Sequence, residues 1–302
     1  MEPFTLLTTQ RGLAQAPMLS QGAEAVVYVP SGKVDEISAQ LLPRVGRRAL
    51  VALGGGRVID TAKAIGGAAG LPVAAIPTTL SGAELTRFHR MPAGVEGATM
   101  IRPSLVVADP ALMASQPAAE LAASAMNALA HAIEALYTPL ANPVASMAAL
   151  RAAHLIAAGL APAEPRRAEV ALGGLLAGYA SGQTGYAMHH VVCQTVVRLA
   201  ATPHARTNAV VLPHSVRLMV DRAPAEIGRL ARTLGAESAA EAPDAVGRLV
   251  ARTGVTTLRE LGVRPGQLDA IVDAVAGRPE LANTPGPPGP ADIRAMLASA
   301  LG

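Results

Sequence analysis

The chain has no tryptophan, one cysteine and only two lysines among its 25 basic side chains. Each scarcity removes a class of function. A lone cysteine, Cys193, excludes an intramolecular disulfide and any paired-thiol metal site. Aromatic residues make up 2% of the sequence, so there is no stacking platform for bases, and the arginines are scattered rather than clustered. Nucleic acid is therefore not an expected partner, despite a net charge of +3 and a pI near 9.4. Long apolar runs are missing as well. VALGGLLAGYASG falls short of a membrane span, and the 144–162 stretch is interrupted by Arg151 and His154. The start, MEPFTLLTTQ, has an acid at position 2 and no basic region ahead of an apolar core, so neither a signal peptide nor a membrane partner is expected and the cytoplasm is the expected location.

What is present is globular. The 302 residues are 51% hydrophobic and 16% charged, long enough for two domains and a large core. Up to about residue 113, short Val/Leu/Ala runs (FTLLTT, AVVYVP, RALVALGG, PVAAIPTT, SLVVADP) alternate with helical or turn segments, the pattern of a parallel sheet wrapped by crossovers. After it, helical period dominates over 117–137, 143–160, 166–181, 184–199, 208–221, 224–234, 242–254, 267–276 and 291–301. This predicts an α/β nucleotide-type domain over 1–113 and an all-helical domain over 114–302. ELANTPGPPGP, 280–290, reads as a surface loop before the last helix.

Two groups of residues point to chemistry. In RALVALGGGRVIDTAKAIGG a buried strand runs into Gly54, Gly55 and Gly56 and then directly into a helix, so backbone N–H groups and the helix dipole can face a diphosphate. Taken alone, strand–GGG–helix also serves as a tight turn. Asp60 and Lys63 follow on the first helical turns, and a second polar loop, PTTLSGAE, offers Thr78, Thr79 and Ser81 to phosphate or ribose oxygens; strand-end capping is the alternative for Thr78 and Thr79. The second group is a set of imidazoles. SAMNALAHAIEALY places Asn127 and His131 one turn apart on an apolar helix; His189 and His190 share another helix, and His204 follows fourteen residues after His190. A single histidine on such a helix is more often core than ligand, and His154 is read that way.

Together, GGGRVIDTAKAIG, PTTLSGAE, DPALM, MNALAHAIEALY with ANP, and HHVVCQTVVRLAATPHARTNAVVLPH resemble the iron-containing (group III) alcohol dehydrogenase superfamily over nearly the whole chain. The resemblance implies an N-terminal Rossmann-like α/β domain followed by an all-helical C-terminal domain, the dehydroquinate synthase-like architecture. It further implies NAD(P) bound through the GGG and PTT loops, a metal in the helical domain, and a homodimer. The family's metal ligands, an aspartate and three histidines, fall on Asn127, His131, His190 and His204. Asn127 removes the anionic ligand and looks like the maleylacetate reductase branch, in which the histidines would serve substrate and proton rather than iron. No bound metal is therefore expected; if one is held, iron or zinc on His131, His190 and His204 is the alternative.

The chain departs from the family pattern in places. Gln194 stands where the family has a further histidine, the stretch RFHRMPAGVEGATMIRPS has no lysine, and the family's first N-terminal segment is expected to be missing. Thr8, Thr9 and Gln10 occupy the place of the aspartate that NAD-selective members carry, so NADPH should be accepted at least as well as NADH. The expected activity is NAD(P)H-dependent reduction of a small carbonyl compound, keto or enone, with His131, His190 or His204 stabilising the oxyanion and Arg87, Arg90 or Arg206 holding a substrate carboxylate. Two alternatives stay open at this point: a metal-dependent alcohol dehydrogenase using three histidines, and a cofactor-binding relative without redox turnover.

Overall fold

The computed structural model describes residues 3–302, in two compact units that divide between Gln116 and Pro117. In the first unit all five apolar runs form strands: β1 (Phe4–Thr8), β2 (Ala23–Tyr28), β3 (Ala49–Gly54), β4 (Val73–Pro77) and β5 (Leu105–Val106). They make one sheet of order β2-β1-β3-β4-β5 with every pair parallel. Helices α1 (Gln10–Gln15), α2 (Val34–Leu41) and α3 (Gly56–Ala69) are the crossovers, and α4 (Pro110–Met113) follows β5. Alternation along β1 sends Leu7 into a core with α2 and α3, and Phe4 and Leu6 into a second core with Leu13, Leu19 and Leu112. The sheet is thus covered on both faces, as an all-parallel sheet requires. From β1 the chain turns one way to β2 and then the other way to β3, so the β1 and β3 ends flank the switch point where such sheets take ligands.

The second unit is helical: α5 (Ala118–Glu134), α6 (Pro143–Leu160), α7 (Arg167–Thr184), α8 (Met188–Ala200), α9 (His204–Met219), α10 (Pro224–Thr233), α11 (Ala242–Val250), α12 (Leu268–Ala276) and α13 (Pro290–Leu301). Its central element is α5, buried on every side and packed against α6, α7 and α9. Alanine and glycine make the close approach possible. A Cβ on Gly173 of α7 would stand 2.8 Å from Ile156 Cγ1, and one on Gly159 of α6 would stand 2.6 Å from Val170 Cγ2. By length and composition α6 alone among the described helices is apolar enough to cross a membrane, yet it packs against α5 and α7. His154 departs from the core role expected of it: with Arg151 it lies on the exposed face of α6.

The loop that joins α8 to α9 also departs from expectation. Ala201 closes α8 in the left-handed region (φ 54°), the sole non-glycine there among the described residues. α9 then begins at His204 rather than near 208, which puts that imidazole on the first helical turn.

Candidate active site

In the first unit the two polar loops meet. Gly54 pairs with Pro77 across β3 and β4, and Thr78 N–H donates to Gly54 C=O at 3.0 Å, so both loops leave the sheet at one level. Gly55 is the N-cap of α3 and offers no side-chain cap, which leaves the helix N-terminus to an incoming anion. The glycines are required by packing. A Cβ on Gly55 would lie 2.9 Å from Thr79 Cγ2, and one on Gly56 would lie 2.9 Å from Ser81 Cβ. Thr79 and Ser81 are half-buried while Thr78 is buried with its N–H already spent on Gly54.

Lys63 and Asp60 hold this cradle together. Lys63 is fully buried on α3; its Nζ donates to Asp60 Oδ1 at 2.8 Å, to Ala83 C=O at 2.9 Å and to Phe88 C=O at 2.8 Å. All three ammonium protons are thereby placed, and the chain after PTTLSGAE is pinned to α3. Asp60, expected to meet the cofactor, gives its Oδ1 to Lys63 as counter-charge and remains partly exposed. Beside them Glu84 is fully buried, its oxygens meeting nothing beyond its own backbone, and burial pushes its carboxyl up to about 7 against the pull of Lys63. His89 is a structural staple: Nδ1 donates to Arg90 C=O at 3.0 Å and Nε2 accepts from Ile101 N–H at 3.1 Å.

In the helical unit the imidazole set divides. His131 of α5 and His190 of α8 stack, with ring centroids 3.9 Å apart and planes 15° from parallel. The residue that positions them was not among those expected: Glu134, buried on α5. Its Oε1 accepts the N–H groups of His189 and His190 at 2.7 and 3.3 Å, capping α8 across helices, and its Oε2 lies 2.6 Å from His190 Nδ1. Its signal in the sequence is a carboxylate at i+7 from Asn127 and i+3 from His131 on one face of a mostly apolar helix, whose other carboxylate, Glu120, lies in the exposed first turn. Burial, with His204 adding like charge, drives the His190 imidazolium down to about 3. Burial also raises the Glu134 carboxyl, so one proton is shared across this 2.6 Å contact; with that proton on Nδ1, Nε2 is left with a bare lone pair. That Nε2, and Oδ1 of Asn127, are buried without a hydrogen-bond partner. His204 is exposed.

His189, grouped with the reactive imidazoles by sequence, belongs to the core. Its Nε2 is 3.1 Å from Asn208 Oδ1, an oxygen whose placement is fixed because Asn208 Nδ2 donates to His204 C=O at 2.8 Å. Its Nδ1 is 2.8 Å from Ser215 Oγ. Burial lowers this imidazole to about 3, so the ring is neutral and Nε2–H donates to Asn208, while the one Ser215 hydroxyl proton is shared between Nδ1 and Leu212 C=O, 2.9 Å away. Both nitrogens are spent on tying α8 to α9.

The same geometry bears on the metal question posed by the spacing. Stacked rings keep their in-plane lone pairs in nearly parallel planes, so an ion in the plane of one ring at a bonding distance of about 2.1 Å lies well out of the plane of the other. Asn127 adds only a neutral oxygen. Among the described residues no group of three or more His, Cys, Asp and Glu is arranged to hold a metal ion. The residues as placed do not fit one. Arg87 and Arg90 are exposed in the first unit and Arg206 is half-buried in the second, while Gln194 accepts from Arg278.

Comparison with known proteins matches residues 9–117 to the family described as iron-containing alcohol dehydrogenase, and 121–301 to the Fe-containing alcohol dehydrogenase family, C-terminal. Maleylacetate reductase 1 of Rhodococcus opacus is 35% identical over 268 residues, covering 84% of this chain and 73% of the relative. The maleylacetate reductase of Burkholderia cepacia is 32% identical, with 84% and 74% covered. The crystal structure of maleylacetate reductase from Rhizobium sp. strain MTP-10005 superposes with a TM-score of 0.85 at 29% identity, over 100% of this chain and 90% of that one.

Two outcomes follow for the first unit. Gly55→Ala forces the two loops apart and should weaken NADPH binding roughly tenfold or more by fluorescence titration, a loss of about 1.4 kcal/mol, whereas Gly46→Ala, with nothing near its Cβ, should leave it unchanged. Glu84 has a folded-state pKa above its unfolded one, so its contribution to stability is full at low pH and is lost as pH rises from about 4.5 through about 7. Glu84→Gln should match the wild type near pH 4.5 and exceed it by on the order of 3 kcal/mol at pH 8. Parallel urea-stability profiles against pH would contradict this.

Proposed function

The chain belongs to the iron-containing alcohol dehydrogenase family and is an NAD(P)-dependent oxidoreductase acting on a small molecule; from that premise we propose that it reduces a small unsaturated keto acid of the maleylacetate type and does so without a bound metal. The observation that carries the second half is the His131–His190 stack beside a neutral Asn127, with His190 locked by Glu134. The first half is supported by the similarity to maleylacetate reductases over most of the chain.

The Gly54–Gly56 backbone and the open N-terminus of α3 fit a dinucleotide diphosphate, with the Thr79 and Ser81 hydroxyls at hand for phosphate or ribose oxygens. The reduced nicotinamide supplies a hydride when bound. Thr8 and Thr9 end the first strand with hydroxyls and no carboxylate; Thr8 Oγ1 is already committed to Leu53 C=O at 2.8 Å. Nothing there repels a 2′-phosphate, which supports use of NADPH as well as NADH.

In the helical unit the reacting groups are His190 Nε2 and Asn127. The carboxamide of Asn127 can donate to a substrate oxygen through Nδ2 without adding charge. Nε2 of His190 must take up a proton before it can deliver one to an enolate or alkoxide. Glu134 favours that uptake, because an anion 2.6 Å from Nδ1 stabilises the imidazolium. Negative charge developing on the substrate favours it further, so the proton is held at Nε2 when the reaction needs it. His131, stacked on the ring, limits its rotation, and the exposed His204 is near enough for its charge to act on His190.

Steady-state kinetics with NAD(P)H and a panel of keto and enone acids test this reading. Turnover should appear with a carboxylated substrate, and both His190→Ala and Glu134→Gln should lower kcat by roughly 10²-fold while nucleotide affinity, measured separately, stays within a factor of about two. Both sites are buried, so each variant should also melt at a lower temperature; kcat is referred to the folded fraction. Absence of NAD(P)H oxidation with every carbonyl substrate would sink the proposal. Metal content is the second check. Elemental analysis should give well under one metal per chain, and EDTA should leave the rate unchanged; a stoichiometric ion that resists chelation and is needed for turnover would contradict the metal-independent reading.

A further inference from the structure

Past α12 the chain folds a 3-10 turn, Pro279–Asn283, back onto the start of α8. Asn283 Nδ2 donates to Tyr186 C=O at 2.9 Å, and Thr284 Oγ1 accepts Met188 N–H at 3.0 Å. This docking delivers Arg278 to the imidazole site. Its Nε donates to Glu280 Oε2 at 3.0 Å and its Nη2 to Glu280 Oε1 at 3.1 Å, a bidentate pair that fixes the guanidinium plane. Nη2 also lies 3.1 Å from Gln194 Oε1 and 3.4 Å from the Tyr186 hydroxyl, which itself donates to Glu280 Oε1 at 2.9 Å. Tyr186 and Gln194 both border His190: the Tyr186 ring stands edge-on to it at 6.2 Å, and Gln194 is one turn along α8. Among the described residues no bond of Arg278 uses Nη1, and the side chain is about a quarter exposed, at 23%.

We propose that Arg278 binds a carboxylate of the substrate through Nη1, with Gln194 as the positioning residue that holds the guanidinium beside His190. The inference rests on the reading of the substrate as an acid. A guanidinium with its plane fixed on one side and two donors free on the other is preorganised for a carboxylate, so little side-chain entropy is lost on binding. Glu280 orients the group and does not compete for Nη1. Gln194 suits this place because its amide oxygen accepts from Nη2, whereas an imidazole that gained a proton there would repel the arginine. Arg87 and Arg90 lack any such scaffold, since both are exposed in the first unit.

The test is calorimetric titration of the intact protein with adipate, a saturated dicarboxylate, and with its uncharged dimethyl ester. Arg278→Lys and Arg278→Gln should each weaken adipate binding roughly tenfold or more and leave the ester unaffected, with folding followed by circular dichroism. Gln194→Leu should weaken it less, about threefold, because the donors remain but wander. The double variant Arg278→Gln, Glu280→Gln should keep the full loss, which assigns it to the donors and not to net charge. Equal adipate affinity in wild type and Arg278→Lys, no adipate binding by the wild type, or equal losses for adipate and ester would each overturn the proposal. Turnover separates the two readings: if the wild type reduces keto acids with NAD(P)H and the Arg278 variants keep their KM for carboxylated substrates, the activity stands and this assignment falls. If the wild type reduces nothing, the activity falls, and the adipate titration still decides the anion site.

Discussion

Glu134 is one carboxylate with three tasks, and the imidazole site depends on all of them being met at once. Burying it disfavours its charge, and its pKa is raised for that reason. The cost is offset because Oε1 satisfies two amide donors at the start of α8 that would otherwise be orphaned, where the helix dipole also favours an anion. With Oε1 so occupied, Oε2 is left for His190, and the tautomer of that ring follows. Shifting α8 along its axis would break the cap and the tautomer together. Helix packing and proton placement are therefore one constraint.

The first unit solves a related problem with the opposite charge. Lys63 is buried without exposure, and it is tolerated because one carboxylate and two carbonyls take its protons. The gain is a fixed loop. Ala83 and Phe88 are tied to α3, Ser81 is carried with them, and Gly55 and Gly56 then have no room for side chains. Glu84 is the exception in this arrangement. It is as buried as Lys63 but makes no bond to another residue, and its raised pKa is the physical consequence.

Much of this was legible in the residues, and the misses share a cause. Strand runs, helix spans and the glycine loop are local patterns, and the structure reproduces them to within a few residues. Which member of an adjacent pair keeps an unbonded ring nitrogen is not local: His189 and His190 differ by about 100° around α8, and only the placement of α9 shows that Asn208 and Ser215 consume the first. Asp60 and Lys63 lie three residues apart on one helix, a spacing that fits an ion pair as well as two groups facing a ligand, and only the fold shows that Lys63 turns inward. Glu134 escaped because a carboxylate in a helix is ordinarily a solvated one; beyond its first turn this helix has almost no solvated side, and that was the clue. Arg278 could not be found from spacing at all, since its contacts with Gln194 and Tyr186 span 84 and 92 residues.

The two amides in the site, Asn127 and Gln194, acquire a common meaning from the charges around them. Each stands where the family pattern has a group able to carry charge, and each leaves the local balance to two pairs, Glu134 with His190 and Arg278 with Glu280. Arg278 and Glu280 together are neutral, and the hydrogen bonds from Arg278 hold the Glu280 carboxyl down to about 2, so that pair stays ionised at working pH. The remaining variable is the proton on His190. A substrate carboxylate seated on Nη1 of Arg278 brings negative charge near that ring, which raises its proton affinity by the same electrostatics that Glu134 already exerts. On the proposed reading an acidic substrate would thus help to charge the acid that protonates it, whereas an aspartate at position 127 would supply the same field permanently and remove the selectivity.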